Sequence, residues 1–106
     1  MDEKILKLIQ IAKKGNFLVF GKEGMRKYII SKQIYKVIIV ANNISEKIYR
    51  DYLCRTENKS IEILKLKKYN KKEIGKAIGL NEIAALGIID VNIAKEVLKI
   101  AKTTRR

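Results

Sequence analysis

The chain has 106 residues, 47% of them hydrophobic, enough for one core that folds without a metal or disulfide staple. Twenty-four Lys and Arg against eleven Asp and Glu give a formal charge of +13, which favours nucleic acid or an anionic membrane surface as partner and disfavours basic proteins and cationic substrates. With no His and a single Cys, Cys54, an internal disulfide and the usual Cys/His zinc site are excluded, and the commonest general base is missing.

Residues 2–14 have the spacing of an amphipathic helix, with Ile5, Leu8, Ile9 and Ala12 on one face. Asp2 and Glu3 suit its N-terminus, Lys13 and Lys14 its C-terminus, and Gly15 the stop. Residues 17–20 form a short strand, and Gly21 opens a second helix reaching about Lys32. Residues 35–41 are a β-branched apolar run that suits a central strand covered on both faces. Asn42 and Asn43 end it, and Ser45 caps a third helix through Thr56. Cys54 falls in that helix and is expected to be a small, half-buried hydrophobe. Residues 61–66 alternate apolar and polar side chains, the pattern of a strand with one wetter face. Asn70 followed by Glu73 resembles a capping box, opening a short helix with Ile74, Ala77 and Ile78 inward and Gly79 at its end. Residues 83–89 form a buried strand, and Asp90 caps a last helix whose inner face is Ala94, Val97, Leu98 and Ala101. Residues 1–102 are expected to be one domain and 103–106 a disordered basic tail.

There is no Pro, no linker-like stretch, no internal repeat and no targeting segment, and the longest apolar run, residues 83–89, is too short to span a bilayer. The expectation is a cytoplasmic, monomeric protein with no membrane association. Helices alternating with about four strands argue for an α/β layered domain with helices on both faces of the sheet.

Four segments carry a resemblance. Residues 11–19, Ile-Ala-Lys-Lys-Gly-Asn-Phe-Leu-Val, are one. Gly21 followed by Met25, Lys27 and Ile29 is the second. Residues 36–43, Lys-Val-Ile-Ile-Val-Ala-Asn-Asn, with Ser45 and Glu46 after them, are the third. The most specific is residues 73–79, Glu-Ile-Gly-Lys-Ala-Ile-Gly, followed by an apolar strand ending at Asp90 and by Ala94-Lys95. In this order and spacing the sequence resembles the kink-turn RNA-binding ribosomal protein superfamily, which includes the archaeal L-seven-Ae and eukaryotic L-thirty-e proteins, and most closely its bacterial YlxQ-like members. The resemblance runs from about Ile5 to Leu98. It implies a three-layer α/β/α sandwich around a four-stranded mixed sheet, and RNA binding through one end of the domain. In such proteins the glycine-led N-terminus of the second helix docks on the sheared G·A pairs of a kink-turn, and the loop after the Gly-x-Ala-x-Gly segment covers a flipped-out base. The matching positions are Gly21, Lys22, Glu23, Gly24 and Lys27, then Leu80, Asn81, Glu82 and Ile83, with Asn42, Asn43 and Lys76 flanking them. One departure stands out: Glu23-Gly24 occupies the place of an Asn-Glu pair. Asn offers a base edge both donor and acceptor, whereas Glu only accepts and a Gly side chain does neither.

The chemistry of those residues supports the same site. A helix N-terminus after glycine presents unpaired N–H groups to an anion, and Lys22, Arg26 and Lys27 add charge. The alternative is a plain strand-to-helix turn with solvated cations. Residues 65–76 hold six Lys and one acid, with Tyr69 either stacking on a base or packing locally. Leu80 and Ile83 either pack on a base or belong to the core. Gly75 and Gly79 either allow a close approach or make a bend and a cap. Tyr28, Tyr49 and Tyr52 are expected at the core or its boundary. No G-x-x-x-x-G-K-[ST] or G-x-G-x-x-G motif is present, so no nucleotide cofactor or metal is expected. The leading reading is a non-enzymatic binder of structured RNA, rRNA included, with the ribosome as a further partner. The alternatives are a protein-interaction module or a generic basic RNA binder without standard kink-turn specificity.

Overall fold

A computed structural model describes residues 2–57 and 59–104. Its elements alternate as the patterning predicts: α1 (Asp2–Lys14), β1 (Leu18–Phe20), α2 (Lys22–Ile30), β2 (Lys36–Val40), α3 (Glu46–Arg55), β3 (Ile61–Lys65), α4 (Lys71–Ala77), β4 (Ala85–Ile88) and α5 (Val91–Thr104). The expected tail overlaps α5 as far as Thr104, and Arg105 and Arg106 lie outside the described residues.

The sheet order is β1-β4-β2-β3. β2 and β3 run parallel, joined through α3, with Ile38 opposite Ile63. β4 is antiparallel to both β2 and β1, with Gly87 opposite Ile38 and Val19. The sheet is therefore mixed, and every residue of its β2 strand is buried.

Side-chain alternation along the strands divides the core in two. Val37, Ile39, Leu86 and Ile88 point to one face, where Ile5, Ile9 and Ala12 of α1, Ile74 of α4 and Ala94 and Val97 of α5 cover them. Ile38, Val40 and Ala85 point to the other, under Met25, Tyr28 and Ile29 of α2 and the half-buried Tyr49 and Tyr52 of α3. The result is an α/β/α sandwich, with three helices on one face and two on the other.

The second face depends on a glycine. A Cβ on Gly87 would stand 2.6 Å and 2.7 Å from two Tyr28 ring carbons and 2.9 Å from Val19 Cγ2. The bare backbone lets the Tyr28 ring approach β4 closely, and its hydroxyl donates to Ile88 O at 2.8 Å and accepts from Val37 N at 2.9 Å. Burial pushes the Tyr28 phenol pKa up, so the hydroxyl keeps the proton it donates.

Helix ends follow the sequence with one correction, at the end of α1. Ser45 accepts from Ile48 N, Asp90 from the amides of Asn92 and Ile93, and Asn70 and Glu73 form a complete capping box. The residue that stops α1, however, is Asn16 rather than Gly15. Asn16 takes φ 60°, and the bonds Phe17 N to Ala12 O (2.8 Å) and Asn16 N to Lys13 O (3.1 Å) close a Schellman motif around it. Gly15 is instead covered by the Phe17 ring. Cys54 is exposed, because α3 presents no fully buried residue to the sheet.

Candidate functional site

Gly21 ends β1 and caps α2 with φ 83° and ψ 158°, a backbone region open essentially to glycine alone. No side chain caps this helix, so its first-turn amides are left to solvent or a ligand. The second component is the loop after α4. Gly79 takes φ +75° and closes α4 with a Schellman motif, Leu80 N to Gly75 O at 2.8 Å and Gly79 N to Lys76 O at 3.2 Å. That turn folds the loop back on the helix so tightly that a Cβ on Gly75 would lie 2.6 Å from the Asn81 carbonyl carbon. Of the two roles open to Gly75 and Gly79, Gly75 thus allows a close approach, to the loop rather than the sheet, and Gly79 makes the cap. Ile83 N then donates to Lys71 O at 3.1 Å, and Ala41 N to Ala84 O at 2.9 Å, tying the loop to α4 and to the end of β2.

These two components face one another across an open cleft of about 650 Å³. Gly21, Lys22 and Arg26 line it from α2, and Leu80, Asn81, Glu82 and Ile83 from the loop. Seven expected residues are therefore brought together. Of the two alternatives weighed for Ile83, its 8% exposure places it in the core, at the edge that also lines the cleft.

The remaining expected residues lie elsewhere. Glu23 and Lys27 are exposed on α2, outside the cleft lining, and Gly24 is half-buried with 3.9 Å between a built Cβ and Val19 Cβ. Lys76 is exposed on α4, outside the lining. Asn42 and Asn43 brace a neighbouring loop: Asn42 Nδ2 donates to Lys67 O at 3.0 Å, and Asn43 Oδ1 accepts from Lys71 N at 2.9 Å. Tyr69 is half-buried against the first core cluster, which favours local packing over a free stacking surface.

The far wall was missed by sequence reasoning. α3 contributes Ile48, Asp51, Tyr52 and Arg55, and β1 contributes Phe20. Phe20 and Ile48 are 41% and 45% exposed, apolar side chains on the cleft wall that leave the core unserved. Their signal in the sequence is faint, because a surplus apolar residue on an amphipathic helix is common. Arg55 Nε donates to Asp51 Oδ2 at 2.8 Å. Tyr52 has its pKa raised, first by burial and then by the neighbouring Asp51 charge. The cleft thus combines an apolar floor, uncapped amides, three cations (Lys22, Arg26, Arg55) and two acids (Asp51, Glu82). It suits a ligand with both flat apolar and anionic parts. Among the described residues no three of His, Cys, Asp or Glu gather to hold a metal, and no helix is long and apolar enough to cross a membrane.

The model of the ribosomal protein L7Ae/L30e/S12e/Gadd45 family matches residues 3–99. Among solved structures, the chain is similar to a protein with unknown function from Bacillus halodurans C, at 20% identity and a TM-score of 0.81, over 93% of this chain and 97% of that one. No curated protein matches.

Proposed function

This chain belongs to the ribosomal protein L7Ae/L30e/S12e/Gadd45 family, a membership that points to RNA binding, and we propose that it is a non-enzymatic, ribosome-associated binder of bent or bulged RNA. The observation that carries this reading is the cleft, in which the uncapped start of α2 stands across from the Leu80–Ile83 side of the α4–β4 loop. RNA helices bury their major-groove edges, so protein reads bases that are splayed out at kinks and bulges. An unstacked base has an apolar face for Leu80, Ile83 and Phe20, and the phosphates beside it have Lys22, Arg26 and the α2 amides. The surrounding charge of +13 captures the RNA before shape selects it.

Glu23-Gly24, in the first turn of α2 but outside the cleft lining, favours a second reading, in which bent RNA is bound with less discrimination for the standard kink-turn. Neither residue can present the paired donor and acceptor that a side-chain amide offers to a base edge. A built Cβ at Gly24 meets Val19 Cβ at 3.9 Å, an ordinary contact, so a methyl group fits there without a clash.

The experiment is an amide chemical-shift titration with a kink-turn RNA. The proposal expects the largest changes at Gly21, Lys22 and Leu80 to Ile83. Changes confined to the Lys-rich β3–α4 loop, or none at all, would contradict it.

A further inference from the structure

A second hollow of about 380 Å³, lined by Arg26, Ile29, Ile30, Arg55 and Lys59, opens beside the cleft. Arg26, Ile29 and Arg55 line both, so the two form one groove between α2 and α3, running from Gly21 past the other end of α2 at Ile30. At 1.5 Å per residue, α2 gives this groove a length of about 13 Å, the axial span of roughly four stacked nucleotides.

Its chemistry is that of an anion track. The second hollow has three cations and no acid among the described residues of its lining. The chain carries its positive charge on nineteen lysines and only five arginines, yet an arginine stands on each wall here. The guanidinium is the group that grips phosphate with two parallel hydrogen bonds. The Asp51 bond holds Arg55 through Nε, leaving its two terminal nitrogens for an anion. Positive potential persists at the far end. Lys36, whose amino group donates to the carbonyls of Ile29 and Ser31, is held below the usual lysine pKa by burial and then by the charge of Lys59. Ile30 is 75% exposed at the groove's edge and gives a base or sugar an apolar contact.

We propose that the α2–α3 groove holds a single-stranded RNA segment flanking the structured element, with Arg26 and Arg55 on its phosphates from opposite walls and Lys59 at its exit. The inference rests on the RNA-binding reading above. Continuity with the cleft and the regular charge of a phosphodiester strand favour RNA over an acidic protein segment.

The test compares a blunt kink-turn hairpin with the same hairpin carrying a short oligouridine extension on its 5′ or its 3′ end. One extended RNA is expected to bind about tenfold more tightly than the blunt one, with a salt dependence steeper by about 0.7 in log–log slope for each added phosphate contact. The readout is the ratio of extended to blunt affinity. Arg26→Gln with Arg55→Gln should bring that ratio close to one. Arg50→Gln should preserve it, since this residue lies on the same helix but outside the groove lining, paired with Glu46. Thermal melts of each variant check folding. A ratio of one in the wild-type chain, or a ratio that survives the double variant, overturns the track alone and leaves the groove to an acidic protein segment. Failure to bind any of the three RNAs overturns the RNA reading and the track with it.

Discussion

Replacing Gly75 with Ala places one methyl group where the α4–β4 loop folds back on its helix. The built Cβ lies inside the van der Waals envelope of Asn81 O, 2.6 Å from Asn81 C and 3.1 Å from Leu80 O. All three are backbone atoms, so no rotamer change relieves the clash. The Asn81 carbonyl carbon must move from 2.6 Å to beyond about 3.4 Å, the start of ordinary contact. That shift strains the 2.8 Å bond from Leu80 N to Gly75 O that closes the helix. Overpacking costs about 1–3 kcal/mol and the lost cap bond about 1 kcal/mol. Alanine's better helix propensity returns up to about 1 kcal/mol. The net expectation is a loss of about 1–4 kcal/mol, seen as a lower urea midpoint at unchanged slope. RNA affinity should fall as well in the folded variant, because the displaced loop carries Leu80 and Asn81 into the cleft. A wild-type midpoint together with unshifted amides from Leu80 to Ile83 would show that the loop does not press on Gly75.

Three further outcomes follow from the same geometry. Gly24→Ala, with its nearest neighbour at 3.9 Å, should stabilise α2 by about 0.5–1 kcal/mol and raise the melting temperature. Tyr28→Phe should cost about 1–3 kcal/mol in urea unfolding, since Val37 N loses the hydroxyl it donates to within a closed core. Glu3 Oε1 lies 2.9 Å from Lys68 Nζ, and that bond, with a backbone bond at Glu3 second, lowers the Glu3 pKa from 4.5 to about 2. A depressed carboxylate adds stability that is complete above its unfolded pKa and disappears as pH falls through the folded one, so this contribution is lost between pH 4.5 and about 2. The pair is exposed, so the contribution is small and fades with salt. A carboxyl NMR titration should place the midpoint near 2 and Lys68→Ala should return it towards 4.5; a wild-type midpoint near 4.5 would contradict the pairing.

Local signals were legible wherever a short stretch of chain decides the outcome by itself. The β-branched run at 36–40, the Asn70–Glu73 capping box and the Ser45 and Asp90 caps each depend on residues a few positions apart. The family resemblance pointed to the two polypeptide segments that line the cleft, each of which begins at a glycine with positive φ. Gly15 misled because glycine is the commoner residue at a helix stop, whereas here the αL position falls one residue later, on Asn16. What was illegible depends on contacts between distant segments. The space that Gly87 leaves for Tyr28 joins residues from different elements. The same is true of the α3 wall of the cleft and of the strand order. Cys54 belongs to this class: its outward position follows from how α3 lies on the sheet, with only Tyr49 and Tyr52 turned inward as half-buried contacts. Asn42 and Asn43 were placed at the correct end of β2, but their side-chain amides are engaged with the backbone of Lys67, in the β3–α4 loop, and of Lys71, at the start of α4.

The most direct measurement is the affinity of the chain for a kink-turn RNA and for the same RNA with its tandem G·A pairs mutated, at two salt concentrations. Recognition through the cleft requires a preference for the intact motif that survives the higher salt. That preference should fall when Gly21 or Ile83 is replaced and grow when Glu23→Asn and Gly24→Glu are combined. Equal and steeply salt-dependent binding to both RNAs would contradict recognition through the cleft, and no binding to either would contradict RNA binding itself.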